Sequence, residues 1–401
     1  MNIKAIASGP RAAALVTVLV TGLLGGSAVA GAARDAALDA AIAAAMARAP
    51  IPGMIVGIWQ DGQDPYVRAV GVRDTATAQP MTTDLHMRIG SVTKSFTVTS
   101  ILMLADQGKL NLDDPIDRHY KGVPGGHQIT LRHLAGMRSG LYNYADTVFP
   151  MHLRNPHRRW PPRELLAHAF RSSRGLNPPL QFTPGSEFDY SNTNTVLLGE
   201  VVRRVSGQSI ESFIEQHILI PSGLTHTFYP RAAIPTVQDR SRRWAAQMPS
   251  PHSQGYYELP DRTLVDATDW SPTWGGAAGQ MISNLDDMRV WTRDFALGKL
   301  ISPAMKHERD TFQDAPPEGV GARYGLAIEN QNGWLGHNGN TRSYMTFPYY
   351  LPDEKITLVV LLNAGSLRMI VAVWTMMQDI TRIISPNNPW PDLPPVGDPT
   401  E

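Results

Sequence analysis

The 401-residue chain contains no cysteine, which excludes disulfides, thiolate metal sites, a cysteine nucleophile and a lipidated N-terminal cysteine. It also lacks net charge: 36 basic residues balance 36 acidic ones, so nothing in the composition points to nucleic acid as a partner. The basic residues are mostly arginine, and only seven are lysine. The twelve histidines form no HExxH and no His-x-His pair; His152 and His157 sit in an Arg/Pro-rich stretch without ligand spacing, so no metal is expected. Walker A, GxGxxG and the GxSxG nucleophile elbow are absent as well. Nucleotide cofactors and the α/β-hydrolase plan are thereby disfavoured, and no cofactor is expected.

With 42% hydrophobic residues the chain is too apolar for disorder and long enough for two domains or one large one. Residues 1–30 read as a signal peptide: Lys4 and Arg11 precede an apolar stretch, Ala12 to Leu24, and Ala28-Val29-Ala30 offers a cleavage site. An exported protein, periplasmic or extracellular, is the expectation. Contact with a membrane follows only if this segment stays uncleaved as an anchor.

The rest predicts a discontinuous α/β domain. A helix over Arg34 to Arg48 leads into strands at Gly53 to Gln60 and Tyr66 to Val72, around a turn at Asp61-Gly62. Ser91 to Gln107 predicts a helix, apolar on nearly every side and stopped by Gly108; such a helix lies inside a protein. Ser283 to Asp286 resembles a capping box for a helix ending near Gly298. An antiparallel meander follows, with strands at Tyr324 to Asn330, Trp334 to Gly339, Ser343 to Tyr350 and Ile356 to Asn363, its first hairpin turning at Asn332-Gly333. Leu367 to Ile384 predicts an amphipathic helix that packs back. Residues 34–112 and 275–384 thus form an antiparallel sheet flanked by helices. Residues 113–274, rich in Pro, Gly and Arg with short helical runs and no good strand pattern, read as an inserted all-α domain. Residues 385–401 read as a Pro-rich disordered tail.

Three short motifs carry candidate chemistry. Ser91 and Lys94 stand one turn apart on one face of the buried helix. A hydroxyl needs a neighbour to take its proton, and a lysine can do so once desolvation lowers its pKa; the helix N-terminus adds N–H groups and a positive dipole end beside a developing oxyanion. Tyr190-Ser191-Asn192 precedes another helical run, and His337-Asn338-Gly339 falls on the second meander strand. Each alone is ordinary: a helix cap with a chance lysine, a second cap, a surface histidine.

Together and in this order, Ser-x-x-Lys, Tyr-x-Asn and His-x-Gly resemble the active-site motifs of the penicillin-recognising serine hydrolases, the superfamily of class C β-lactamases, serine D-Ala-D-Ala carboxypeptidases and related esterases. Asp113 to Ile116, Ser139 to Leu141, Phe182 to Glu200, Pro221 to Leu224 and Gly275 to Asp287 extend the resemblance, which covers roughly Ile51 to Gly365. It implies a β-lactamase/transpeptidase-like fold and an acyl-enzyme mechanism. Ser91 would be the nucleophile and Lys94 its partner. Tyr190 would shuttle the proton, its phenolate favoured by Lys94 and by a protonated His337. Asn192 would hold a substrate amide carbonyl and orient Lys94. The N–H groups of Ser91 and Asn340 would form the oxyanion hole, and Gly339 would admit the substrate beside the strand. His337 stands where class C β-lactamases carry lysine, which points toward a D-Ala-D-Ala carboxypeptidase-like activity on a small-molecule or peptidoglycan-peptide substrate. Asn338 and Asn340 replace hydroxyl residues that grip a carboxylate in such carboxypeptidases; Arg342, two positions further along the strand, would then supply the cation. An esterase or transesterase, a class C-like β-lactamase and a penicillin-binding protein without turnover remain alternatives within the same fold.

Overall fold

The computed structural model describes residues 20–175, 179–230, 248–315 and 323–393. The proposed leader lies largely outside the described residues. The first described element is a helix, Val20–Arg48, longer than the sequence pattern suggested. Among the described residues, no helix is long and apolar enough to cross a membrane.

The centre of the molecule is a ten-stranded sheet. Gly53–Gln60 pairs antiparallel with Tyr66–Asp74 on one side and Ile356–Leu362 on the other; Met345–Leu351, Trp334–Gly336, Glu329–Gln331 and Arg323–Tyr324 follow in order. The two chain ends are therefore hydrogen-bonded neighbours, with Val56 opposite Val360. Alternation along these strands builds two layers, because successive side chains leave opposite faces. Met54, Val56, Ile58, Leu358 and Val360 pack under Val20–Arg48 and the helix Leu367–Ile384; Ile55, Trp59, Val359 and Leu361 face the helix Leu285–Leu297.

The helix Thr93–Asp106, entered through a single 3-10 turn at Gly90–Val92, lies between this layer and the helical region. Phe96 stacks on Trp291, ring centres 3.9 Å apart, while Val98, Ile101 and Leu102 join the core of the helical region with Leu197 and Val201. Apolar side chains on opposite sides of one helix, meeting different cores, account for its lack of a polar face.

Several expectations need correction. The 113–274 region carries a hairpin, Tyr256–Glu258 with Leu264–Asp266, which joins the two-residue strand Ala364–Gly365 in a small sheet. These strands are three residues long, too short for alternation to register. Asn284, not Ser283, caps the Leu285–Leu297 helix, its side chain accepting from the Asp287 N–H. The meander's first strand is interrupted at Gly325–Ile328, where Ala327 takes φ +55°. Its second breaks after Gly336 and resumes only at Gly339–Asn340, so His337 and Asn338 lie in the break rather than on a strand. The described part of the C-terminal tail is packed: Trp390 is buried against Tyr349 and Trp374, and its main-chain N–H donates to Thr381 Oγ1 at 2.7 Å. A buried indole of that size anchors chain that proline content alone suggests is loose.

Candidate active site

Gly90 opens the site. At φ +51° it turns the chain into the 3-10 entry, and a Cβ there would stand 2.6 Å from the Asn340 nitrogen. Glycine is required on both counts. The turn is fixed by Thr93, whose hydroxyl donates to Gly90 O at 2.7 Å and accepts from Met281 N–H at 3.1 Å.

Lys94 is fully buried, and its Nζ lies 2.9 Å from Ser91 Oγ, 2.8 Å from Asn192 Oδ1 and 2.9 Å from Ala278 O. Burial pushes its pKa well below the ordinary lysine range, against a weaker opposing pull from Glu329. The partners then dictate the proton pattern. Asn192 Oδ1 and Ala278 O only accept; a neutral amine has two N–H groups to give them, and its lone pair is left facing the Ser91 hydroxyl. That is the arrangement of a general base on a serine nucleophile.

Tyr190 closes the other side, its ring 4.8 Å from Lys94 Nζ and its phenol hydrogen-bonded to Ser91. Burial, the largest influence, raises its pKa despite that hydrogen bond. His337, completely buried, has its pKa pushed down to about 3, by burial first and by Lys94 second. The expectation of a phenolate supported by an imidazolium is therefore corrected: burial keeps Tyr190 a phenol and His337 neutral. The imidazole's neighbours agree, with Nδ1 2.7 Å from Asn338 O and Nε2 3.0 Å from the Tyr324 hydroxyl. In that tautomer the first nitrogen donates and the second accepts.

On the sheet side the main chain comes close. A Cβ at Gly339 would stand 2.0 Å from Ile89 O and 3.0 Å from Ser91 N. The segments carrying the Ser91 and Asn340 amides thus run against each other, as two converging donors require. Ser91, Tyr190, Asn192, Asn338, Asn340 and Arg342 all line one cleft of about 740 Å³. Arg342 reaches it differently from the strand-face argument. It is exposed in a turn at φ +69°, its N–H donating to Asn340 Oδ1 at 2.5 Å and its guanidinium 5.1 Å from the Phe149 ring centre.

Two cleft residues escaped the sequence reading. Asn143 accepts from both the main-chain N–H of Asn192 (3.1 Å) and its Nδ2 (3.3 Å), fixing the amide that holds Lys94. No feature of a single sequence marks it. Glu329, completely buried, accepts from Tyr349 Oη and, at 3.4 Å, from Asn338 Nδ2; its Oε1 has no hydrogen-bond partner among the described residues. Burial raises its pKa to about 8. Oε1 lies 3.5 Å from His337 Nδ1, but burial drives both groups toward their neutral forms, so this contact is not an ion pair. An acid placed directly after the mostly apolar stretch Tyr324 to Ile328, on a predicted strand, was the signal available in the sequence.

Comparison with known proteins places this geometry among relatives. The Beta-lactamase family profile matches residues 38–373. Protein flp of Staphylococcus aureus (strain MW2) is 26% identical over 79% of this chain and 60% of its own, and penicillin-binding protein 4* of Bacillus subtilis is 26% identical over 74% and 65%. The chain therefore spans about two thirds or less of these curated relatives. Among solved structures, a D-stereospecific amidohydrolase from Streptomyces sp. is 30% identical, with a TM-score of 0.69 over 85% of this chain and 97% of that one. An octameric penicillin-binding protein homologue from Pyrococcus abyssi is 26% identical, with a TM-score of 0.71 over 88% and 78%.

Proposed function

The chain belongs to the Beta-lactamase family of serine hydrolases, and on that premise we propose that it hydrolyses an amide or peptide bond following a D-amino acid through an acyl-enzyme on Ser91. The observation that carries this reading is the pair of acceptors on Lys94 Nζ, Asn192 Oδ1 and Ala278 O, which occupy the two N–H groups of a neutral amine and leave its lone pair for Ser91 Oγ. Ser91 Oγ attacks the carbonyl carbon while its proton passes to Lys94. The oxyanion is met by the Ser91 and Asn340 N–H groups, and Asn192 on one side and the Asn338 to Asn340 segment on the other bound the substrate. The Tyr190 phenol delivers a proton to the leaving nitrogen and regains one from the Lys94 ammonium by way of Ser91 Oγ, so that the amine departs as the acyl-enzyme forms and both groups return to neutral. Water then attacks the ester by the reverse route.

Carboxypeptidase-like cleavage, releasing a terminal D-residue, is the preferred form. Arg342 is an exposed basic side chain lining the cleft and would face the leaving group's carboxylate. Hydrolysis of simple amides or esters is the second reading, favoured by the exposure of Arg342 and by the 30% identity to a D-stereospecific amidohydrolase. The N-terminal segment with Lys4, Arg11 and Ala28-Val29-Ala30 supports export, where peptidoglycan peptides would be the natural substrate.

A fluorophosphonate or fluorescent penicillin, read by intact mass, tests the nucleophile. One adduct on wild type and none on Ser91→Ala is expected; equal labelling of both overturns the assignment. D-alanine release from a peptide ending in D-Ala-D-Ala, run beside short-chain ester and nitrocefin hydrolysis, ranks the substrates.

A further inference from the structure

Glu329 stands behind the break in the sheet wall. Its main chain is in register with Gly336, the last residue before the strand is interrupted. Its carboxyl, completely buried, takes up polar groups that strand pairing leaves open there. Oε2 accepts from the Tyr349 hydroxyl and, at 3.4 Å, from Asn338 Nδ2, and the carboxyl also accepts from the Asn338 main-chain N–H. The Asn338 amide is hydrogen-bonded to the Tyr349 hydroxyl as well. A side-chain amide has one nitrogen end and one oxygen end. With Nδ2 turned inward on two acceptors, Oδ1 is the end left for the cleft that Asn338 lines. Asn340 is set the other way. Its Oδ1 accepts from the Arg342 N–H at 2.5 Å, which leaves Nδ2 as a donor toward the same cleft.

Resting on the carboxypeptidase-like reading above, we propose that Glu329 is a positioning residue for leaving-group specificity: by holding the Asn338 amide nitrogen it presents an acceptor at Asn338, so that the leaving residue's carboxylate is turned away there and directed to Asn340 Nδ2 and Arg342. An ionised carboxylate only accepts hydrogen bonds, and a carbonyl oxygen facing it repels it. Specificity of this kind is set by a repulsive group as much as by an attractive one. Burial keeps Glu329 itself neutral, so the tether orients Asn338 without adding a charge that would oppose the carboxylate.

Binding tests this without depending on turnover. The probes are N-acetyl-D-Ala-D-Ala and its C-terminal amide, titrated calorimetrically at pH 6.5 into Ser91→Ala and into the same variant carrying Asn338→Ala, Glu329→Leu or Glu329→Gln. The readout is the affinity ratio of carboxylate to amide. Asn338→Ala removes the acceptor and is expected to raise that ratio about threefold. Glu329→Leu frees the amide to turn and should raise it by a similar factor. Glu329→Gln keeps an oxygen for Asn338 Nδ2 and should leave the ratio as it was. A ratio that falls or stays constant in Asn338→Ala means that Oδ1 does not face the carboxylate and overturns the proposal. So does a Glu329→Leu variant, folded by circular dichroism, that weakens both probes equally, or a Glu329→Gln variant that shifts the ratio as Leu does. The Asn338→Ala result stands even if Glu329→Leu fails to fold. Absence of binding by both probes overturns the proposal together with the carboxypeptidase form, whereas fluorophosphonate labelling of wild type reports separately on the hydrolase reading.

Discussion

The two walls of the cleft are built on different principles. The helical wall works through side chains: Lys94 holds Asn192, Asn192 holds Asn143 and Tyr190 holds Ser91, each by a hydrogen bond between residues far apart in the chain. The sheet wall works through main chain: Gly90, Gly339 and Asn340 bring two backbone segments within van der Waals reach, and the side chains behind them, His337 and Glu329, are buried and uncharged. A side-chain wall can be dismantled one functional group at a time. A main-chain wall fails when anything is added to it.

The largest test falls on the first wall. Lys94→Met removes the base, and kcat/KM on any substrate class should fall by about a thousandfold, read by steady-state kinetics. A loss of less than about tenfold would move the base elsewhere. In wild type the neutral amine is lost as pH falls through the depressed Lys94 pKa, so kcat/KM should rise with pH along its acid limb. Gly339→Ala probes the second wall. A Cβ 2.0 Å from Ile89 O must push the two segments apart, and a loss of about a hundredfold in kcat is expected, the size seen when one oxyanion donor is removed. If the loss is confined to KM, Gly339 only admits substrate.

A smaller effect separates the uncharged back of the sheet wall from its catalytic face. The folded-state pKa of Glu329 is raised from 4.5 to about 8, so the fold binds a proton that the unfolded chain has released. Its contribution to stability is complete below pH 4.5 and is lost as pH rises through about 8. Glu329→Gln removes this dependence, and its melting temperature should gain on wild type between pH 5 and pH 8. A constant difference across that range would mean that Glu329 is ionised in the fold. The smallest effect is at the rim. Arg342→Ala should slow cleavage of a peptide with a free C-terminal carboxylate by about fivefold, an exposed charge pair being worth at most about 1 kcal/mol. Equal loss on a neutral ester would refute carboxylate recognition.

The legibility of these walls in the sequence differs in the same way. Ser91-Val92-Thr93-Lys94 could be placed at a helix start because a long apolar segment closed by Gly108 marked that helix. The strands Gly53–Gln60 and Ile356–Leu362 were legible as short apolar runs, but that they pair with each other was not. The break at His337-Asn338 was not, since turn signals are weak when the interrupting residues are themselves compatible with a strand. Asn143 had no local signature at all: its role exists only through a contact with Asn192, 49 positions away. The ionisation of Tyr190 and His337 was misjudged because charge neighbours can be guessed from motifs, whereas desolvation is a property of everything packed around a group.

The sequence by itself determined the local units: which helix carries the serine and lysine, where the strands alternate, and which motifs could meet. Tertiary structure decided the burial that shifts Lys94, His337 and Glu329 toward their neutral forms and the orientation of Asn192 through Asn143. The reason is physical. Periodicity and capping are encoded within a few residues, but burial and electrostatic environment are sums over groups that only the finished fold brings together.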